Sequence, residues 1–291
     1  MLDKSMSRRK FLVGAGTLAG VASVAGLGLV NRPDVAEAAG TAIPWSYPAD
    51  PASQPDPEKV ARRAFEIYFK SGCAEAVWGS CVEALAAIEP ATWGTLPTNM
   101  FRFGGGGIAG WGTICGTLNG SAAFISMAVG QNLAADGVTK EWAHRNNLIN
   151  GAFQYYAETP LPTNNTFKST QGILGQPAWA PVVPAGYTLV ENAATSTANS
   201  PLCHSSLVQW TMATGAADGG WLQKDRCGKA SFDVARKTIE ILNKYFELAS
   251  APTVALDPSV AACGACHKTY SDKKMACGSC HDNTVDDGHM D

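Results

Sequence analysis

Apolar residues recur at steps of three and four along residues 229–249. Phe232, Ala235, Ile239, Leu242 and Phe246 share one face there and predict a helix with a single buried stripe. The same pattern predicts helices over residues 57–88, interrupted at Ser71-Gly72, and over 118–135, 140–158 and 201–214. Two stretches carry no period. Residues 102–112 contain Gly104-Gly105-Gly106-Gly107, a run whose backbone can approach a ligand closely; no Gly-Lys-Ser/Thr follows to make it a phosphate loop. Residues 159–200 hold five prolines with Trp179 and Tyr187, and so long an irregular segment is expected to drape over the body or a cofactor. No internal repeat of useful period is present. The fold class is therefore mainly α: a helical, cysteine-rich domain followed by a small C-terminal segment.

Both ends depart from this pattern. Ser7-Arg8-Arg9-Lys10-Phe11-Leu12 is a twin-arginine pattern, followed by a weakly apolar Gly/Ala-rich run over residues 12–30 and a small-residue cleavage site at Ala36-Glu37-Ala38. Residues 1–38 are read as an export signal that sends the chain to the periplasm and leaves no stable membrane insertion once removed. A single transmembrane anchor is the other reading of a run of this length. At the far end, Pro252 and Pro258 flank the link into residues 251–291, a segment too short to build its own core, so a prosthetic group must serve as one. The domains expected are thus 1–38, a helical domain over 39–250, and 251–291.

The chain has 291 residues, 46% of them hydrophobic, enough for one large domain or two modest ones. Its formal charge of −3 comes with no basic patch, which sets nucleic acid aside. Without residues 1–38, 17 Lys and Arg face 22 Asp and Glu, so the mature chain stands near −5. Such a surface suits a positively charged redox partner protein met in a salt-sensitive encounter.

Nine cysteines give the chemistry. Cys263-Gly264-Ala265-Cys266-His267 and Cys277-Gly278-Ser279-Cys280-His281 are two C-x-x-C-H pentapeptides. Haem c attachment needs that spacing: two thiols add across the porphyrin vinyl groups, and the adjoining imidazole falls under the iron as its proximal ligand. A four-cysteine zinc site or a thiol–disulfide couple would use the same cysteine pairs. Neither explains a histidine directly after both pairs in a chain with only five. Cys263, Cys266, Cys277 and Cys280 are accordingly haem attachment sites, and His267 and His281 proximal ligands. Only residues 268–276 separate the motifs; fully extended they reach at most about 35 Å, so the two haems are near neighbours. His144, His204 and His289 remain as candidate distal ligands, with Met275 and Met290 as weaker alternatives.

Of the other five cysteines, four sit at predicted helix starts. Cys73 follows Ser71-Gly72. Cys115-Gly116 precedes the 118–135 helix. Cys203 follows Ser200-Pro201, read as N-cap and first-turn proline, and Cys227-Gly228 lies just before the 229–249 helix. Helix N-termini lower thiol pKa and offer N–H donors to anionic sulfur, so these four could hold a small iron–sulfur cluster. Two disulfides satisfy the same spacing. Twin-arginine transport, which carries folded cargo, favours a cluster inserted before export. Cys81, in mid-helix, reads as a small buried apolar residue.

Ser71-Gly72-Cys73-Ala74-Glu75-Ala76-Val77, Phe103-Gly104-Gly105-Gly106, Thr113-Ile114-Cys115-Gly116, Cys203 and Cys227 together resemble the GCAxxG-type family of redox-active proteins, with Val77 standing where the consensus has its second glycine. With the two haem motifs added, residues 57–291 resemble the split-Soret cytochromes c of sulfate-reducing bacteria. That resemblance implies a homodimer in which two bis-His haems per subunit lie nearly in contact, each taking one axial histidine from the partner subunit. It also implies a [2Fe–2S]-type centre in the other domain. The leading expectation is a periplasmic electron carrier and not an enzyme. A haem or iron enzyme reducing a small oxyanion or peroxide, and the electron-delivering subunit of a larger oxidoreductase, are the alternatives.

Overall fold

The computed structural model describes residues 45–129, 139–163, 194–216 and 219–248. All belong to one of the two compact units into which the chain divides, residues 43–132 with 136–291. The export signal, residues 164–193 of the proline-rich segment, and the whole of residues 251–291 lie outside the described residues, and with them Cys263, Cys266, His267, Cys277, Cys280, His281 and His289.

Helix α1 spans Pro57–Ser71. The Asp56 carboxylate accepts hydrogen bonds from Glu58 N–H at 2.9 Å and Lys59 N–H at 3.4 Å, and Pro57 pre-sets the first turn. Val60, Ala61, Ala64, Phe65 and Ile67 form its buried face. The break predicted at Ser71-Gly72 is a single residue, Gly72, with φ 90° and ψ 178°. This backbone region is open in practice only to glycine. It closes one helix and opens the next: Gly72 N–H donates to Tyr68 O at 2.8 Å, and Gly72 O accepts from Ala76 N–H at 3.0 Å.

Helix α2, Cys73–Ala86, is buried almost all round and packs against the helices on either side. Cys81 lies in the core, as a small apolar residue should, and its thiol is pushed up by burial. Trp78 and Trp93 are fully buried, each with its indole N–H satisfied by a carbonyl: Pro97 O at 3.2 Å and Ser46 O at 2.9 Å. Helix α3, Gly116–Val129, crosses α2 at backbone distance. A Cβ on Gly120 would stand 2.5 Å from Ala74 O, and one on Gly116 would strike the Cys73 sulfur, so only glycine permits this approach. Between α2 and α3 the chain makes short 3-10 turns at Trp93–Thr95 and Thr98–Gly104.

Helices α4 (Thr139–Glu158), α5 (Cys203–Thr214) and α6 (Trp221–Leu248) complete the body. α6 lies along α1, and the stripe predicted on it is buried at Phe232, Ala235, Ile239 and Leu242. No strand occurs among the described residues, only isolated antiparallel bridges at Ile114–Leu202 and Leu161–Ser196. Among them, too, no helix is long and apolar enough to cross a membrane. The mainly α fold class holds.

Several boundaries differ from expectation. The last helix starts at Trp221, two turns before residue 229, so Cys227 sits inside it and not ahead of it. Gly228 reads as a helix boundary in the sequence. It is instead where the Tyr68 and Phe69 rings press on α6, within 3.1 Å of where its Cβ would be. α5 begins at Cys203 with Leu202 at the cap position, so Pro201 is not in its first turn. Ser200 Oγ accepts from Leu202 N–H at 3.2 Å in place of capping the helix. α3 begins at Gly116, before residue 118. The irregular 102–112 stretch opens inside the Thr98–Gly104 turn, and left-handed backbone follows at Gly106, Gly107, Ile108, Ala109, Gly110 and Gly112.

Candidate metal centre

The four cysteines proposed as a set come together. Cys73, Cys115, Cys203 and Cys227 line one cavity of about 130 Å³, far more than the roughly 10–15 Å³ a single water requires. All four are free thiols. Cys73 opens α2, Cys115 immediately precedes α3, Cys203 opens α5, and Cys227 projects from the second turn of α6.

Backbone pairing fixes two of them against each other. Cys115 N–H donates to Pro201 O at 2.9 Å and Cys203 N–H to Thr113 O at 2.7 Å, on either side of the Ile114–Leu202 bridge. The α2–α3 glycine contact places Cys73 beside Cys115. α1 positions Cys227 through the ring packing at Gly228.

The sulfurs interact strongly. Hydrogen bonds from the Cys203 and Cys73 thiols hold Cys115 well below the usual thiol range against the opposing effect of burial, and Thr117 Oγ1 adds a donor at 3.2 Å. Cys73 and Cys203 are pushed up, first by donating to Cys115 and then by burial. Gly106 N–H, from the glycine run, favours the Cys73 thiolate. Burial raises Cys227, with the Arg226 guanidinium opposing.

Two residues unforeseen from the sequence complete the wall. Arg226 is 2% exposed; its Nη1 lies 3.8 Å from Cys227 Sγ, its Nη2 donates to Ser206 Oγ, and its Nε has no partner. Tyr68 places its phenol beside Cys227. Behind Cys115, the buried Tyr156 hydroxyl stands close to the Cys115 and Ser206 side chains without a well-aligned hydrogen bond to either. In sequence, Arg226 lies in Asp225-Arg226-Cys227-Gly228-Lys229, whose i,i+4 carboxylate–lysine pair is a helix signal across Gly228. Tyr156 carries no such signal.

The donor set suits a cluster better than one ion. A mononuclear tetrathiolate site needs every sulfur about 2.3 Å from a single point. Among the described residues no three Cys, His, Asp or Glu side chains converge in that way, although Cys115 lies within hydrogen-bonding reach of both Cys73 and Cys203. Sulfurs spread around a cavity match a group of several irons, each bound by some of the ligands. Three buried thiols and the half-buried Cys227, an arginine Nη1 3.8 Å from one of them, and backbone donors at helix starts all fit an anionic iron–sulfur group.

Neither described histidine lines this cavity. His144 is exposed on α4, with Nδ1 3.0 Å from the Tyr245 hydroxyl and its ring edge-on to that tyrosine. His204 is exposed as the second residue of α5, its Cβ set against Gly112.

Comparison with known proteins agrees with this arrangement. Residues 72–241 match the family model described as "Putative redox-active protein (C_GCAxxG_C_C)". The chain is 29% identical over 277 residues to the split-Soret cytochrome c of Desulfovibrio desulfuricans, an alignment covering 91% of this chain and 88% of that protein. It is also similar to the solved structure of the split-Soret cytochrome c from D. desulfuricans ATCC 27774, described as having a novel iron centre. There the TM-score is 0.62 and the identity 27%, over 80% of this chain and 90% of the other.

Proposed function

The chain belongs to the C_GCAxxG_C_C family of redox-active proteins, and from that premise we propose that it is a periplasmic electron carrier. On this reading Cys73, Cys115, Cys203 and Cys227 hold an iron–sulfur centre of the [2Fe–2S] type. Two haems c are attached at Cys263, Cys266, Cys277 and Cys280, with His267 and His281 as proximal ligands. The observation that carries the proposal is the convergence of four free thiols, three buried and Cys227 half-buried, on one cavity from positions 73, 115, 203 and 227.

Such a centre, when bound, accepts and releases single electrons. The chain's own residues limit water at three of the sulfurs, since Cys73, Cys115 and Cys203 are buried, and Tyr68 lines the cavity from α1. They also supply positive charge and N–H donors through Arg226 and Gly106.

Likeness to a cytochrome c and the two C-x-x-C-H motifs support the haem assignment. Two of His144, His204 and His289 would be the distal ligands, with axial histidines exchanged between the subunits of a homodimer; His144 and His204 are exposed. The twin-arginine pattern supports the periplasmic location.

Iron and haem per chain, measured on the exported protein, test the reading directly. Two haems with iron in excess, plus acid-labile sulfide, are expected; iron equal to haem would remove the cluster. A protein giving no pyridine haemochrome would remove the cytochrome. Cyanide binding to the oxidised protein would favour an enzyme with an open haem.

A further inference from the structure

Among the described residues Arg226 is the one Lys, Arg, Asp or Glu side chain lining the sulfur cavity, and none of their carboxylates pairs with it. Asp225, its neighbour, turns to Lys229 instead, at 2.6 Å. Arg226 makes one hydrogen bond to a neutral oxygen, Ser206 Oγ, directs Nη1 at the Cys227 sulfur, and leaves Nε unsatisfied in a buried position. An arginine stays protonated at any working pH. A permanent cation buried without an anion is strongly unfavourable, so a residue placed in this way requires negative charge inside the cavity.

Resting on the reading of this cavity as the iron–sulfur site, we propose that Arg226 sets the reduction potential of that centre, raising it by holding a fixed positive charge and N–H donors against the Cys227 side of the sulfur set. Each electron gained makes the bound group one unit more negative and no proton accompanies it, because Arg226 is protonated before and after. The cation therefore favours the reduced state over the oxidised one. Arg226 is a positioning and tuning residue here and not a ligand. The wall is asymmetric: Thr117 Oγ1 offers Cys115 a neutral donor, whereas Cys227 faces the guanidinium. The asymmetry singles out the Cys227 side as the one where added electron density is stabilised.

The test is a dithionite titration of the haem-loaded full chain, in which the reductant is oxidised as the centre takes up one electron, followed by the EPR signal of the non-haem iron. Arg226→Gln removes the charge; Arg226→Lys keeps a charge but loses the planar contact to sulfur. In Arg226→Gln the reduced-to-oxidised ratio at a fixed poise should fall at least tenfold, a downward shift of ~59 mV for a one-electron couple. Arg226→Lys should lie between that variant and the wild type. An Arg226→Gln centre that loads fully and titrates within twofold of wild type overturns the tuning role and leaves the cluster standing. Wild-type protein without non-haem iron overturns the cluster itself. Should Arg226→Gln fail to load iron, restoration by Arg226→Lys supports the charge role, and equal loss in both assigns Arg226 to packing and overturns it.

Discussion

The cavity has two unlike walls. On the α2–α3 side, Gly104, Gly116 and Gly120 bring the chain together so closely that a single added methyl meets the Ala74 methyl, the Cys73 sulfur or backbone. On the α6 side, Asp225, Arg226 and Lys229 are at most 2% exposed, and placement depends on buried charge. The first wall works by shape and fixes where Cys73 and Cys115 sit relative to each other. The second works by electrostatics and fixes what Cys227 experiences. Small residues give position without charge, and charged residues give field at the cost of desolvation.

Substitutions on each side should therefore fail differently. Asp225→Asn removes the carboxylate charge that faces the Lys229 ammonium at 2.6 Å, both groups being 1% exposed. Breaking such a pair costs about 3–5 kcal/mol, and chemical denaturation should show it as the largest loss of stability in the series. Gly120→Val forces a branched side chain against Ala74 O and Trp78 N. About 3 kcal/mol of destabilisation is expected, and iron content should drop with it because α3 carries Cys115. If iron were retained in full, the glycine contact would not be what sets the sulfur spacing.

Gly72→Ala places a Cβ on backbone at φ 90°, ψ 178°, one residue before Cys73. A loss near 2 kcal/mol is expected on thermal unfolding, with open space around the new methyl confining the effect to backbone strain: its nearest neighbour would be Gly105 Cα at 3.9 Å. The smallest effect belongs to Thr117→Val, which removes the 3.2 Å donor to Cys115 and keeps the shape. About 1 kcal/mol is expected, read as weaker retention of iron against a chelator and not as a change in the fold.

Much of this was legible in the sequence where hydrophobic period or thiol chemistry speaks locally. The α6 stripe, the break at Gly72 and the choice of Cys73, Cys115, Cys203 and Cys227 over Cys81 all follow from residues close in the chain. What was not legible depends on partners distant in sequence. Gly228 looks like a boundary until the Tyr68 and Phe69 rings from α1 are seen against it, so the start of α6 was placed two turns late and Cys227 outside the helix. Arg226 falls ahead of the predicted 229–249 helix, and nothing local marks it as a residue buried in a cavity wall. Ser200 has the chemistry of an N-cap, but the pairing of Thr113 with Cys203 moves the helix start beyond it.

That pairing also bears on how the protein is made. Thr113–Cys115 and Pro201–Cys203 meet only after the chain between them has looped back, and closing a loop of that length carries an entropic cost before any contact rewards it. Four thiols gathered from so far apart form no nest for metal in the nascent polypeptide. On the proposed reading, maturation follows an order, tertiary closure first and inorganic cargo second, after which the cargo itself would act as a rivet across the closed loop.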